Sequence, residues 1–373
     1  MTTSTLPPAA YTEPAHYQLE CARIFRREWL LVGSAERLRE PGDYLSLDIV
    51  GEPIVVVRDA AGDLRALSAV CRHRYMVLVE PGRGRAEYLT CPYHLWRYKL
   101  DGRLDSAPFM ADVRGFDRAA CRLPIFQVEE WQGFVFVNLD PAASSLAPRL
   151  EPVRQVLARY RLANAREVAF YDKRWDCNWK LALENGSESY HHMGTHPESL
   201  DPVLPSRGTY ICAGGPGFAM HRTPLAGGGD WGIAPHDFDT GLTEADMAEM
   251  TVFTIFPSTI ILTAGELVAW FSMLPDGVGK CRFINGFCVS PALVDAGLVD
   301  HESMQAFMEQ VNGEDQRIVE TVQRGVASAY AQPGMLSHKE GALVDFYTYL
   351  RQALASDRKP YEPYQVQERE VVP

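Results

Sequence analysis

Two short loops constrain this chain more than any other feature: Cys71-Arg72-His73 and, beginning eighteen residues past His73, Cys91-Pro92-Tyr93-His94. Each supplies one thiolate and one imidazole. Structural zinc sites usually pair Cys with Cys and His with His, and this arrangement does neither. One ligand of each kind per loop suits a two-iron cluster, with Cys71 and Cys91 on one iron and His73 and His94 on the other. The surrounding sequence reads as an all-β module. Strands are expected over 44–50, 53–58, 64–70, 88–90, 96–100, 125–128 and 133–139, with turns at Gly62-Asp63 and Asp101-Gly102.

A second constellation lies over 178–196. Written as a helix, Leu181, Glu184, Glu188 and His191 fall at steps of three and four and share a face. Gly194 and the five-residue step from His191 to His196 predict a break, after which His196 can swing back toward His191. A third ligand lies far downstream. Met304, Met308, Val311, Ile318 and Val322 form an apolar stripe interrupted only by Asp315, and a carboxylate on a buried face needs a cation. Glu314 falls on the polar side with Gln310, Arg317 and Thr321. Two histidines and one carboxylate with open positions are the ligand set of non-haem ferrous oxygenases.

The 373 residues, 46% of them hydrophobic, can bury a large core, and a net charge of −12 argues against general nucleic-acid binding. No apolar run is long enough to span a bilayer, and the first residues do not read as a secretory signal. Eight scattered cysteines suit a reducing cytoplasm. Further helices are expected over 14–27, 150–161, 299–329 and 339–354. Strands are expected over 168–175, 210–221, 251–256, 260–263, 266–274 and 280–290, and Gly227 to Gly229 read as a surface loop.

Three motifs, in this order, carry a resemblance over nearly the whole chain. They are Cys71, His73, Cys91 and His94 with Leu-Asp-Gly-Arg-Leu after them; Asn178-Trp179-Lys180 through Glu184-Asn185 to Glu188, His191 and His196; and Glu314-Asp315 with Gln323 and Gly325. The chain resembles the oxygenase α subunits of Rieske non-haem iron oxygenases. That resemblance implies an α+β fold in which an all-β Rieske [2Fe-2S] domain joins a helix-grip catalytic domain with a central antiparallel sheet. The expected division is an N-terminal helix in 1–28 packed on the catalytic domain, the Rieske domain in 29–142 and the catalytic domain in 143–373. It also implies one [2Fe-2S] cluster per subunit on Cys71, His73, Cys91 and His94, and one Fe2+ on His191, His196 and Asp315. A head-to-tail homotrimer is implied too, in which Glu188 bridges His94 of one chain to His191 of the next. O2 is then the co-substrate, and NAD(P)H acts only through a separate reductase, with or without a ferredoxin.

Departures from the family pattern carry information. Most members place Asp where this chain has Glu188. Glutamate there is similar to members that oxidise choline, carnitine and betaines, although those often have Cys where this chain has Ser189. Leu95 stands where many relatives have Gly, and His192 is an extra imidazole, read as a neighbour of the metal site or a surface residue. Candidate pocket aromatics are Phe253, Phe256, Trp270 and Phe271, with Trp270 and Phe271 facing opposite ways along one strand. Seven basic residues, Arg72, Arg74, Arg83, Arg85, Arg97, Lys99 and Arg103, stand against three acids over 71–103, and some of them are expected to form a docking rim for an acidic electron donor.

The expected activity is oxygenation of a small organic substrate at an aromatic ring or an N- or O-alkyl group, with quaternary-ammonium oxidation as the alternative. A cluster-only electron-transfer or redox-sensing protein is the rival from another class. A zinc hydrolase using His191, His196 and Asp315 is a second.

Overall fold

Strands Asp43–Ile49 and Glu52–Arg58 pair antiparallel across Val50-Gly51, both at positive φ (45° and 81°), the two-residue turn whose twist matches paired strands. They belong to a seven-stranded antiparallel sheet in the order Leu30–Ser34, Phe134–Asn138, Ile125–Trp131, Leu64–Ser68, Glu52–Arg58, Asp43–Ile49, Gly82–Arg85. Two of these strands are not among those expected from the sequence. Leu30–Ser34 is buried at all five positions, and Gly-Arg-Gly-Arg at Gly82–Arg85 lacks the β-branched residues that mark a strand. A separate three-stranded sheet, Tyr88–Thr90, Arg97–Lys99 and Leu104–Ser106, supports the second Cys/His loop. Val55, Leu67, Leu78, Trp96, Tyr98 and Leu104 form the small core beneath both loops.

The computed structural model describes residues 4–226 and 231–355. Gly227 to Gly229, read as a surface loop, lie outside the described residues.

A second seven-stranded antiparallel sheet runs Arg166–Trp175, Cys281–Val289, Leu267–Pro275, Thr259–Ala264, Glu249–Ile255, Phe218–Pro224, Tyr210–Gly215. The single strand expected over 210–221 is a hairpin, turning between Gly215 and Phe218 because Gly-Pro-Gly cannot continue a ladder. Helix His301–Val326 packs on the edge strand Arg166–Trp175 and against helix Trp179–Gly186. Its stripe differs from expectation at the C-terminal end: Met304, Met308, Asn312 and Val319 are buried, whereas Val322 is 42% exposed. Helix Gly341–Ala355 covers the far end of the same sheet.

Helix Pro14–Glu20 starts on Pro14, as a first-turn proline should. It is tied to the catalytic half by a buried ion pair. Lys180 Nζ lies 2.6 Å from Glu20 Oε1, and Trp179 Nε1 donates to Glu20 Oε2 at 2.9 Å. Burial pulls Lys180 down, whereas hydrogen bonds from His16, Lys180 and Trp179, with the Lys180 charge, hold Glu20 below the usual carboxylate range despite burial.

Candidate metal centres and cavity

Cys71 and Cys91 sit in loops with the same backbone design. Cys71 N donates to Met76 O and Tyr75 N to Cys71 O; Cys91 N donates to Trp96 O and Leu95 N to Cys91 O. Tyr75 and Leu95 take φ of 58° and 59°, the left-handed region that favours glycine. Leu95 therefore adopts, at some cost, the conformation a glycine would take freely. Both thiols are buried and free, and burial pushes Cys71 up. The rings of His73 and His94 lie 4.6 Å apart, and the Nδ1 of each is buried without a hydrogen-bond partner. Two orphaned nitrogens beside two free thiols fit the ligand set of a two-iron cluster with two thiolates and two imidazoles. Tyr98 Oη lies 3.3 Å from Cys71 Sγ and accepts from Arg72 N at 3.0 Å.

In the catalytic half, Asn178 caps helix Trp179–Gly186, accepting from Lys180 N at 3.0 Å. The helix ends at Gly186, earlier than its spacing predicts, and Ser187 Oγ donates back to Leu183 O. Glu188 and His191 therefore do not share a helical face with Leu181 and Glu184. A tight turn joins them instead: Glu188 accepts from the backbone N–H groups of Tyr190 and His191, and its Oε1 meets His191 Nδ1. Helix His192–Thr195 then carries the chain to His196.

The Nε2 atoms of His191 and His196 lie 3.5 Å and 2.9 Å from Asp315 Oδ1. One ligand atom from each of the three residues falls within 4.8 Å of the others, so together they could hold one metal ion. Each imidazole is backed by a glutamate. Glu188 holds His191, and Glu314 Oε2 lies 2.6 Å from His196 Nδ1 while also accepting from Ser199 Oγ at 2.6 Å. Such carboxylates fix the tautomer and aim the other nitrogen inward. The helical phase that put Glu314 on the polar side missed this role, because His196 lies across the helix with one carboxylate on each side of its ring.

Electrostatics follow the geometry. Burial lowers the His191 pKa, but Glu188 and Asp315 more than offset it, so His191 is raised. Asp315 is lowered despite burial, chiefly by the His196 hydrogen bond, with Asn185 Nδ2 donating at 2.8 Å. His192 is not a surface residue: it is 5% exposed, its Nδ1 lies 2.9 Å from Leu204 O, and burial pushes it down to about 3.

Glu188, His191 and Asp315 lie on the wall of a cavity of about 110 Å3. Most of its lining is apolar, including Trp231, Phe271, Phe283, Phe287 and Phe307. Of the four aromatics expected near the pocket, Phe271 lines it. Phe253 is core, Phe256 stacks on Tyr349, and Trp270 packs against Phe134 and Phe170 on the other face of the sheet. Sequence reasoning missed His221, on strand Phe218–Pro224, which lines the cavity with no local motif to mark it.

Comparison with known proteins agrees with this architecture. Residues 28–117 match the Rieske [2Fe-2S] domain, and residues 160–356 match the ring hydroxylating alpha subunit (catalytic domain). The glycine betaine monooxygenase oxygenase subunit of Chromohalobacter salexigens is 28% identical over 94% of this chain and 86% of its own. The carnitine monooxygenase oxygenase subunit of Escherichia coli is 29% identical over 87% and 84%. A quaternary ammonium Rieske monooxygenase superposes with a TM-score of 0.80 at 23% identity over 95% and 96% of the two chains. Naphthalene 1,2-dioxygenase from Rhodococcus sp. does so with 0.78 at 22% over 95% of each. With its catalytic half matched across more than half of the chain and a Rieske domain ahead of it, this protein belongs to the ring-hydroxylating oxygenase α subunits.

Proposed function

We propose that Cys71, His73, Cys91 and His94 hold the [2Fe-2S] cluster and that His191, His196 and Asp315 hold the ferrous ion of this oxygenase. Glu188 joins the iron site to the cluster of a neighbouring copy in a head-to-tail trimer. The carrying observation is the convergence of two glutamate-backed imidazoles and Asp315 on the wall of one apolar cavity. When bound, the cluster supplies single electrons and the ferrous ion supplies the redox chemistry that activates O2. The protein's part is positional: Glu188 and Glu314 set the imidazole planes, and the apolar wall excludes water from the reacting carbon.

The reaction is hydroxylation of a small organic substrate at a ring or an N- or O-alkyl carbon. Electrons come from a separate NAD(P)H reductase or ferredoxin, for which exposed Arg72, Arg74 and Lys99 form part of a landing surface. Arg97 and Arg103 are less available, being paired with Asp105 and Asp101. No described helix is long and apolar enough to cross a membrane, and the eight free cysteines suit a reducing cytoplasm.

A second reading, quaternary-ammonium oxidation, draws on Glu188, on the named relatives and on rings such as Trp231 and Phe307 that can hold a cation. Asp315→Ala tests the iron assignment: iron and turnover are lost while the cluster spectrum persists, and undiminished turnover sinks the site. Sedimentation analysis checks the trimer.

A further inference from the structure

Two buried amides stand in series on the cavity wall. Asn285 lies on strand Cys281–Val289 and Asn312 on helix His301–Val326; they are 1% and 3% exposed, and both line the cavity. Asn285 Nδ2 donates to the Trp270 backbone carbonyl at 3.0 Å, and Asn312 Nδ2 donates to Asn285 Oδ1 at 3.2 Å.

Chemistry fixes the direction of this series. A backbone carbonyl only accepts, so Asn285 must turn its NH2 group toward Trp270 and its oxygen toward Asn312. Asn312 must then give its own NH2 group to Asn285, which leaves Asn312 Oδ1 as the free end. Among the described residues nothing donates to that oxygen, yet it is not one of the side-chain atoms sealed inside the protein without a partner. Asn312 is otherwise buried and lines the cavity, so the oxygen opens into the cavity.

Asn312 also stands three residues before Asp315 on one helix, which puts the two on the same face. A molecule held at Asn312 therefore lies beside the residues proposed for the iron. A carbonyl oxygen in an apolar enclosure is satisfied by an O–H or N–H group. The cavity rings that can hold a cation agree with this polarity, because the negative end of the amide dipole attracts positive charge as well.

We propose that Asn312 Oδ1, held in place by Asn285, is the acceptor that orients the substrate, and that the substrate carries a hydroxyl or N–H group to meet it. This rests on the oxygenase reading for the place of the reacting carbon.

The test is calorimetric binding to the iron-loaded holoenzyme with two matched pairs: choline against ethyltrimethylammonium, and phenol against fluorobenzene. The members of each pair differ at the hydroxyl. In whichever pair binds, the hydroxyl member is expected to bind roughly tenfold more tightly, the worth of one hydrogen bond. Asn312→Leu should abolish that preference with the cluster absorbance unchanged. Asn285→Ala lets either end of the Asn312 amide face the cavity, and it should reduce the preference without removing it. A wild-type protein that binds both members of a pair equally, or that binds neither pair, overturns the proposal. So does a folded Asn312→Leu protein that keeps the preference. Should Asn312→Leu fail to fold, an undiminished preference in Asn285→Ala overturns it instead. Metal analysis of the same sample keeps the readings apart: absence of iron sinks the oxygenase assignment, whereas iron-loaded protein without the hydroxyl preference sinks this one.

Discussion

Glu188 Oε1 lies 2.7 Å from His191 Nδ1, and its Oε2 accepts from the His191 backbone N–H at 3.0 Å. One carboxylate thus fixes both the ring and the backbone of the residue that aims Nε2 at Asp315. Its side chain remains 9% exposed.

Glu188→Gln separates orientation from charge. Glutamine can still accept from His191 but carries no charge to couple the two metal centres. Iron content and cluster absorbance should be unchanged while product formation falls roughly 10–100-fold. Steady-state turnover with a saturating reductase measures this, and an unchanged rate removes Glu188 from the electron path.

Glu314 gives the complementary case. Removing it as Glu314→Ala leaves His196 Nδ1 without its 2.6 Å partner and frees the ring to turn. Iron affinity should drop roughly 10–100-fold in chelator competition, with the cluster intact. Ser199→Ala, which removes only a donor to Glu314, should weaken it less.

Tyr98 tests the other centre. Burial keeps its phenol protonated, and the hydroxyl stands 3.3 Å from Cys71 Sγ. A donor to a ligand sulfur favours the electron-rich reduced cluster. Tyr98→Phe should therefore lower the midpoint potential, by on the order of tens of millivolts. Protein-film voltammetry would show it, and a potential that rises contradicts the assigned donor direction.

Much of this was legible in the sequence because it was local. Paired Cys/His loops and a His-x4-His step are patterns within a few residues, and one acid in an apolar stripe singled out Asp315. What escaped was relational. Glu314 reads as solvent-facing until His196 is known to lie across its helix. His221 sits on a strand with nothing in its neighbours to mark it, and it lines the cavity beside its cross-strand partner Val252. Likewise Phe253, Phe256 and Trp270 look like pocket aromatics until the sheet shows which face each occupies. The end of helix Trp179–Gly186 was misjudged because i+3 and i+4 spacing is equally compatible with a capped turn, and it is the turn that joins Glu188 to His191.

A final prediction concerns Glu184, which accepts from Tyr11 Oη at 2.8 Å and sits near Lys180 and Tyr347. Loss of water there pushes its pKa up from 4.5 to about 8, and the Tyr11 hydrogen bond and Lys180 offset this only in part. An unfolded chain releases this proton near 4.5, whereas the folded one holds it until about 8. Between those values the folded state binds more protons, so its stability falls as pH rises, by on the order of a few kcal/mol across the window. Glu184→Gln can still accept from Tyr11 but does not titrate. Urea unfolding at pH 5, 6, 7 and 8 should then show a shallower decline in the variant than in the wild type. Parallel slopes would mean that the proton is not held at Glu184.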